Sequence, residues 1–303
     1  MALIAAHAYL WGMLSSYVFL LYLWAFLLRN LYVWLTEPSG PQQKVQWEKQ
    51  VVVVTGGSHG VGCSLLKRLS LTGARIANLD VSSMAGDLPN VFFYQCDLSD
   101  TEQITKAVQR ISDDLGVPTM LVNNAGRGMT EAEMQHVMQV NAMAPMHLTR
   151  LLLPGMLRQK NGHVVFVASV LGFAGLPQAA TYAGSKALVA NFRDSLRLEL
   201  RYRVRSERVK TSVVFPGKIS SGMFDGVGSP AWLSPELSTE MVAGRIFENL
   251  ENMRGGEVYL PKMAYLAPIY WAMPEIVRDL AHQVAGSLYS MNDHKSVVQK
   301  ERH

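Results

Sequence analysis

The chain predicts an α/β fold: a parallel sheet of about seven strands with helices on both faces, behind an apolar N-terminal segment. Three observations carry this prediction. Four consecutive valines, Val51 to Val54, read as a strand buried on both faces, since only a sheet covered on both sides has so uniform an apolar run. That run enters a glycine-rich turn, Thr55-Gly56-Gly57-Ser58-His59-Gly60-Val61-Gly62, and then an amphipathic helix from Cys63 to Leu69. Beyond it, strand-like and helix-like segments alternate to about residue 262, the pattern of crossover connections.

Taken in order, the first element is apolar. Residues Ala2 to Leu28 contain no Lys, Arg, Asp or Glu, and the apolar character resumes through Leu31-Tyr32-Val33-Trp34-Leu35. An uncharged stretch beyond about 18 residues is long enough to cross a bilayer. No basic residue precedes it and it exceeds a usual signal-peptide core, so residues 1–35 are expected to be a retained anchor, a single span or a re-entrant hairpin. Trp11, Tyr17, Tyr22, Trp24, Tyr32 and Trp34 suit interfacial anchoring, and Arg29, Lys44 and Lys49 place the following domain on the cytosolic side. Residues 36–47 carry two prolines and a glycine and read as a linker.

The nucleotide-type domain is expected over 48–262, with strands at 50–55, 74–79, 91–95, 119–122, 163–168, 211–215 and 257–260. The glycines of the turn, spaced G-x-x-x-G-x-G, let backbone amides approach a pyrophosphate at the following helix N-terminus. Asp80 closes the second strand, 18 residues past Gly62, near the spacing of an acid that binds an adenosine ribose. The segment between Asp80 and Asp97 is short, so any helix after that strand is expected to be abbreviated, and the stretch from Gly126 to Asn141 is compact as well. Residues 263–303 form a C-terminal appendage. Its segment Lys262 to Pro274 is apolar and aromatic but too short to span, and reads either as a core-packing helix or as a membrane-dipping gate. From Met291 onward the chain is polar and expected to fray.

The chemistry concentrates in Thr181-Tyr182-Ala183-Gly184-Ser185-Lys186. On a helix, residues at i and i+4 share a face, which brings the Lys186 charge near the Tyr182 phenol. A free phenol has a pKa of about 10, and a neighbouring cation lowers it toward a useful base.

These segments together resemble the short-chain dehydrogenase/reductase family over roughly residues 48 to 262, with a Rossmann-type doubly wound sheet. Thr55, Gly56, Gly60 and Gly62 fit its cofactor turn, with Ser58, His59 and Val61 between them. Asn123-Asn124-Ala125-Gly126 fits its signature after the fourth strand. Asn141 falls at its helix-kinking Asn, Ser169 ends the fifth strand 13 residues before Tyr182, and Pro216-Gly217 follows the sixth. The resemblance implies that Tyr182 is the acid/base, Lys186 lowers its pKa and holds the nicotinamide ribose, Ser169 polarises the substrate oxygen, and Asn141 holds a proton-relay water. It also implies cofactor contacts from Asp97 and Leu98 at the adenine, from Asn124, Ala125 and Gly126, and from Ile219 and Ser221 near the carboxamide.

A carboxylate at Asp80 repels a 2′-phosphate, so NAD(H) is favoured; His59 keeps NADP(H) as the second candidate. The layout is similar to that of the membrane-bound retinol and 17β-hydroxysteroid dehydrogenases, including lipid-droplet members. It implies a lipophilic alcohol or ketone as substrate, at an endoplasmic reticulum membrane or lipid-droplet surface. Two alternatives stand beside it: an NADPH-dependent reductase of a 3-keto sphingoid base or acyl-dihydroxyacetone phosphate, and a non-catalytic lipid-droplet scaffold. A second copy of the chain is a candidate partner. The net charge of +4 gives nucleic-acid binding no support. The cluster Arg193, Arg197, Arg201, Arg203, Arg205, Arg208 and Lys210 reads as a solvated helix end, with anionic headgroups as its sharper alternative. Cys63 and Cys96 are expected to be buried thiols rather than a disulfide framework, and Cys/His spacing for a metal is absent.

Overall fold

A computed structural model of the chain describes residues 16–24, 26–28, 45–128, 133–223, 227–228 and 235–291. The chain divides into two units, Met1–Gln42 and Gln43–His303. In the first, residues 16–24 and 26–28 are helical, with Tyr17, Phe19, Leu20, Leu21 and Trp24 exposed. Among the described residues no helix is long and apolar enough to cross a membrane. The rest of the expected anchor and most of the expected linker lie outside the described residues.

The second unit is built on a seven-stranded, all-parallel sheet in the order β3-β2-β1-β4-β5-β6-β7. The strands are β1 (Val51–Thr55), β2 (Arg75–Asp80), β3 (Val91–Gln95), β4 (Met120–Asn123), β5 (Gly162–Val167), β6 (Val209–Pro216) and β7 (Gly256–Leu260). Each overlies its predicted position to within a few residues. The chain first winds outward from β1 to β3, then returns to β4 on the other side. That reversal opens a crevice at the carboxyl ends of β1 and β4.

The valine run shows why the sheet must be covered twice. Val51 and Val53 belong to one core with α2 (Thr101–Leu115), α4 (Ala144–Gln159) and α5 (Ala180–Leu198). Val52 and Val54 face the opposite core, formed by α1 (Gly60–Leu69) and α6 (Thr239–Glu251). Alternating side chains point to opposite faces, so a strand apolar at every position needs a helical layer on each.

Three details differ from expectation. Residues 81–90 contain no helix at all, only turns, before β3 begins. Arg193, read as part of a solvated cluster, is buried: it donates to the Thr211 carbonyl at 3.0 Å and lies 3.9 Å from Glu257. Cys63 is only half-buried, with its sulfur 3.7 Å from that of Met84, whereas Cys96 is fully buried.

The segment beyond β7 is neither plain core nor free tail. It forms a short 3-10 turn (Lys262–Leu266), then α7 (Ala267–Trp271) and α8 (Glu275–Val284). Ala264 is buried, but α8 has no buried residue; Ile276 is 78% and Leu280 59% exposed. Met291, expected to fray, is 2% exposed instead. Residues 292–303 lie outside the described residues.

Candidate active site

The crevice at the sheet's carboxyl edge holds a cleft of about 310 Å³. Its floor is the turn between β1 and α1. Gly56 takes φ +66° and Gly60 φ +53°, conformations that a side chain resists. At Gly56 a Cβ would also stand 2.8 Å from the Ala125 Cα, and at Gly62 it would stand 2.8 Å from the Gly57 Cα. Gly62 therefore lets α1 pack directly on the turn and does not itself face the cleft. No side chain caps the start of α1, where His59, Gly60 and Val61 line the cleft. Uncapped helix amides above a backbone cradle suit a pyrophosphate, so the residues present fit a dinucleotide.

Thr55 and Ser58 were expected at the cofactor, but the structure places them behind the cleft wall. The Thr55 hydroxyl accepts from the Asn124 and Ala125 amides at 3.1 and 3.0 Å, tying β1 to the β4 exit. Ser58 is buried: its hydroxyl donates to the Ser82 carbonyl, and its amide donates to an Asp80 carboxylate oxygen at 3.0 Å. Both residues hold the wall in shape. Asp80 itself lines the cleft at the end of β2, its other oxygen accepting from the Val81 amide at 2.8 Å.

Asp97 and Leu98 line the next part of the cleft, after β3. The Ser99 amide and hydroxyl, with the nearby His136 and Arg127, hold the Asp97 carboxyl below its usual range. Asn124 anchors the opposite side, donating to the Thr55 and Gly56 carbonyls at 3.0 and 3.1 Å. With Ala125 and Gly126 it forms the central wall.

Asn141 sits in a π-helical turn, Gln139–Met143, between α3 (Met134–Met138) and α4. Single π-turns inside helices recur at functional sites. The Asn141 side chain is buried behind the cleft. It accepts from the Arg127 amide at 2.7 Å and donates to the Arg127 carbonyl and Ser185 hydroxyl, each at 3.2 Å.

Ser169 leaves β5 as the cap of a short 3-10 turn, and Tyr182 and Lys186 project from the first turns of α5. All three line the cleft together. The Ser169 hydroxyl hydrogen-bonds the Tyr182 phenol. Lys186 Nζ donates to the Val167 carbonyl at 2.9 Å and lies 5.7 Å from the Tyr182 ring centroid. Burial pushes the Tyr182 phenol up to about 12, partly offset by Ser169, and pulls the Lys186 ammonium down to about 8. The expected lowering of the phenol is thus reversed: with the ammonium turned to a carbonyl, loss of hydration dominates.

Pro216, Gly217, Ile219 and Ser221 line the cleft beyond β6, where Ile219 pairs with Leu237. Sequence reasoning missed Arg127, His136 and Met223, which also line it. Arg127 directly follows the Asn-Asn-Ala-Gly run, so adjacency was a usable signal. His136, on the short α3, and Met223, beyond β6, carried none, because tertiary packing rather than local pattern brings them to the cleft. Among the described residues no cluster of His, Cys, Asp and Glu could hold a metal.

Comparison with known proteins agrees with this geometry. A family model described as short chain dehydrogenase matches residues 50–231. Human 17-beta-hydroxysteroid dehydrogenase 13 is 27% identical over 234 residues, covering 69% of this chain and 74% of that protein. Epidermal retinol dehydrogenase 2 of Mus musculus is 27% identical over 247 residues, covering 75% and 78%. A crystal structure of a short chain dehydrogenase from Burkholderia cenocepacia in complex with NADP superposes with a TM-score of 0.66 at 27% identity, covering 79% of this chain and 98% of that one.

Proposed function

From the premise that this chain belongs to the short-chain dehydrogenase family, and so is an NAD(P)-dependent oxidoreductase of alcohol and carbonyl groups, we propose that it interconverts a lipophilic alcohol and its carbonyl counterpart. The observation that carries this reading is that Ser169, Tyr182 and Lys186 line one cleft together with the glycine-rich turn. NAD(P), when bound, supplies the hydride acceptor for oxidation and the donor for reduction.

In this reading the Tyr182 oxygen takes the alcohol proton during oxidation and returns it during reduction. The Ser169 hydroxyl holds the substrate oxygen beside the phenol. Lys186 remains cationic below about pH 8 and stabilises the phenolate when it forms. Asn141 is a positioning residue: it clamps the Arg127 backbone against the cleft and binds the Ser185 hydroxyl, one residue before Lys186.

NAD(H) is the preferred cofactor in this proposal, because Asp80 lines the cleft at the end of β2, and a carboxylate there would repel a 2′-phosphate. NADP(H) is the second reading, favoured by the NADP-bound structural neighbour. A retinoid, a sterol or another lipid is the proposed substrate class, suggested by the retinol and hydroxysteroid dehydrogenases among the relatives. Residues 1–35 are the proposed anchor, at an endoplasmic reticulum membrane or lipid-droplet surface with the catalytic unit toward the cytosol. The exposed Ile276, Leu280 and Val284, spaced by four along α8, give a second apolar surface that suits an interface.

Tyr182→Phe tests the catalytic reading. It removes one oxygen and leaves the glycine turn and Lys186 in place. We expect at least about 100-fold loss of turnover, with cofactor affinity by fluorescence titration within about three-fold. Retention of more than about a tenth of the activity would remove Tyr182 from the acid/base role.

A further inference from the structure

Residues 287–291 bring Met291 against the wall that carries Tyr182. Met291 is 2% exposed, although it follows α8, which has no buried residue. It shares one buried cluster with Tyr182 and Ala179, against which Leu171, Leu176, Met223 and Val227 pack. Three separated parts of the chain meet there: the β5 exit, the β6 exit and the C-terminal segment. Met223 also lines the cleft beside Tyr182, so the cluster and the cleft are continuous.

The segment is held in place by polar bonds at both ends. The Gly228 amide donates to the Ser290 carbonyl at 2.8 Å. Behind it, a side-chain relay runs from the Tyr270 hydroxyl to His282 Nε2 at 2.8 Å, and from His282 Nδ1 to the Ser287 hydroxyl at 2.6 Å. The Ser290 hydroxyl donates to the Ser287 carbonyl at 2.9 Å. Residues 287–291 are therefore strapped between α8 and the β6 exit.

We propose that Met291 is a specificity-determining residue, and that its strap closes an apolar pocket which takes hydrocarbon of the substrate next to the reacting carbon. This rests on the dehydrogenase reading above and adds where the substrate's carbon skeleton lies. The clustered side chains around Tyr182 are apolar, which suits hydrocarbon. Two of them are methionines, whose unbranched, polarisable side chains adapt to an irregular apolar shape. Met291 does not itself line the cleft, so in this proposal a compact alcohol held at the Ser169–Tyr182 pair stays clear of it, and a bulky one reaches the cluster past Met223.

The test compares kcat/KM for a bulky polycyclic secondary alcohol with that for a compact one such as cyclohexanol, using the full chain. Met291→Ala is expected to change the bulky-to-compact ratio by about ten-fold or more, chiefly through KM for the bulky substrate. Met291→Leu, which conserves volume, is expected to bring the ratio within about three-fold of the starting protein. A ratio moved by less than about two-fold, or an equal fall on both substrates, overturns the proposal. Cofactor titration reports folding of each variant. Should Met291→Ala fail to fold, the unaltered protein carries the test through methyl-labelled methionine NMR, with the Met291 signal assigned from Met291→Leu. That signal should move on adding the bulky alcohol with cofactor and stay put with the compact one; an unmoved signal with the bulky alcohol overturns the proposal. The Tyr182→Phe result judges the catalytic reading separately.

Discussion

Lys186 lies 5.7 Å from the Tyr182 ring centroid, yet its hydrogen bond goes to the Val167 carbonyl at 2.9 Å. The i, i+4 spacing brought cation and phenol to one wall, and burial then moved their pKa values in opposite directions. The phenol is held neutral well above physiological pH, while the ammonium sits near the edge of losing its proton. Such a pair is costly to fold and useful to a proton-transfer site.

That cost is measurable at Lys186. Its pKa falls from 10.5 unfolded to about 8 folded, so the buried cation destabilises the protein fully below pH 8, by roughly 3 kcal/mol. Between pH 8 and 10.5 the unfolded chain holds more protons, and stability rises with pH. Lys186→Met should therefore gain stability over the starting protein at pH 7, and that gain should shrink toward pH 10.5. Urea unfolding of both proteins across this range checks it; a gain independent of pH would show that the folded ammonium is well solvated.

Asp80 combines a charge with a hydrogen bond from the Ser58 amide, and two substitutions separate them. Asp80→Asn removes the charge, keeps one acceptor oxygen for the Ser58 amide and gives up the local bond from the Val81 amide, and should raise the NADP(H)-to-NAD(H) preference ratio by about ten-fold. Asp80→Ala should raise it similarly while also weakening both cofactors, because the turn loses a tie. An unmoved ratio in both would place cofactor choice at another residue, with His59 the first to examine.

His163 offers an acid-side test remote from the site. It is fully buried in β5, with Nε2 2.7 Å from the Ser212 hydroxyl and Nδ1 without a partner. Burial, with the positive charges of Lys210 and Arg193, pulls its pKa from 6.5 down to about 3. The unfolded chain thus binds the extra proton between pH 6.5 and 3, and stability falls as pH falls through that window. From pH 7 to 5 the loss should be about 2 kcal/mol. His163→Gln should remove that slope, whatever its effect at pH 7; an unaltered slope would mean another group governs acid unfolding.

The proposed anchor predicts a partition experiment. Alkaline carbonate should leave the full chain in the membrane fraction, as expected of about 20 apolar residues. Removal of residues 1–35 should release part of the protein and preserve turnover of a compact alcohol. Adding Ile276→Ser and Leu280→Ser should release the rest. Complete release by the truncation alone would show that the α8 face does not bind lipid. Loss of turnover on truncation would make the first 35 residues part of the catalytic fold.

Much of this protein was determined by local sequence. The valine run, the glycine turn and the helix after it each impose a conformation through short-range sterics and periodicity, so the sheet and its crevice could be read directly. The wall that carries the proposed catalytic residues could be approached from sequence too, because Tyr182 and Lys186 are neighbours on one helix and the family resemblance points to Ser169 at the end of a strand. Long-range packing decided the rest. Thr55, Ser58 and Gly62 belong to the right turn, but only the folded positions of Asn124, Asp80 and Gly56 show that they brace it from behind. The direction of the Tyr182 shift depends on how completely surrounding layers exclude water, which no spacing encodes. Met291 stands 109 residues from Tyr182 in the chain. Its burial arises from a strap closing across the β6 exit, a contact between distant segments that local sequence pattern does not specify.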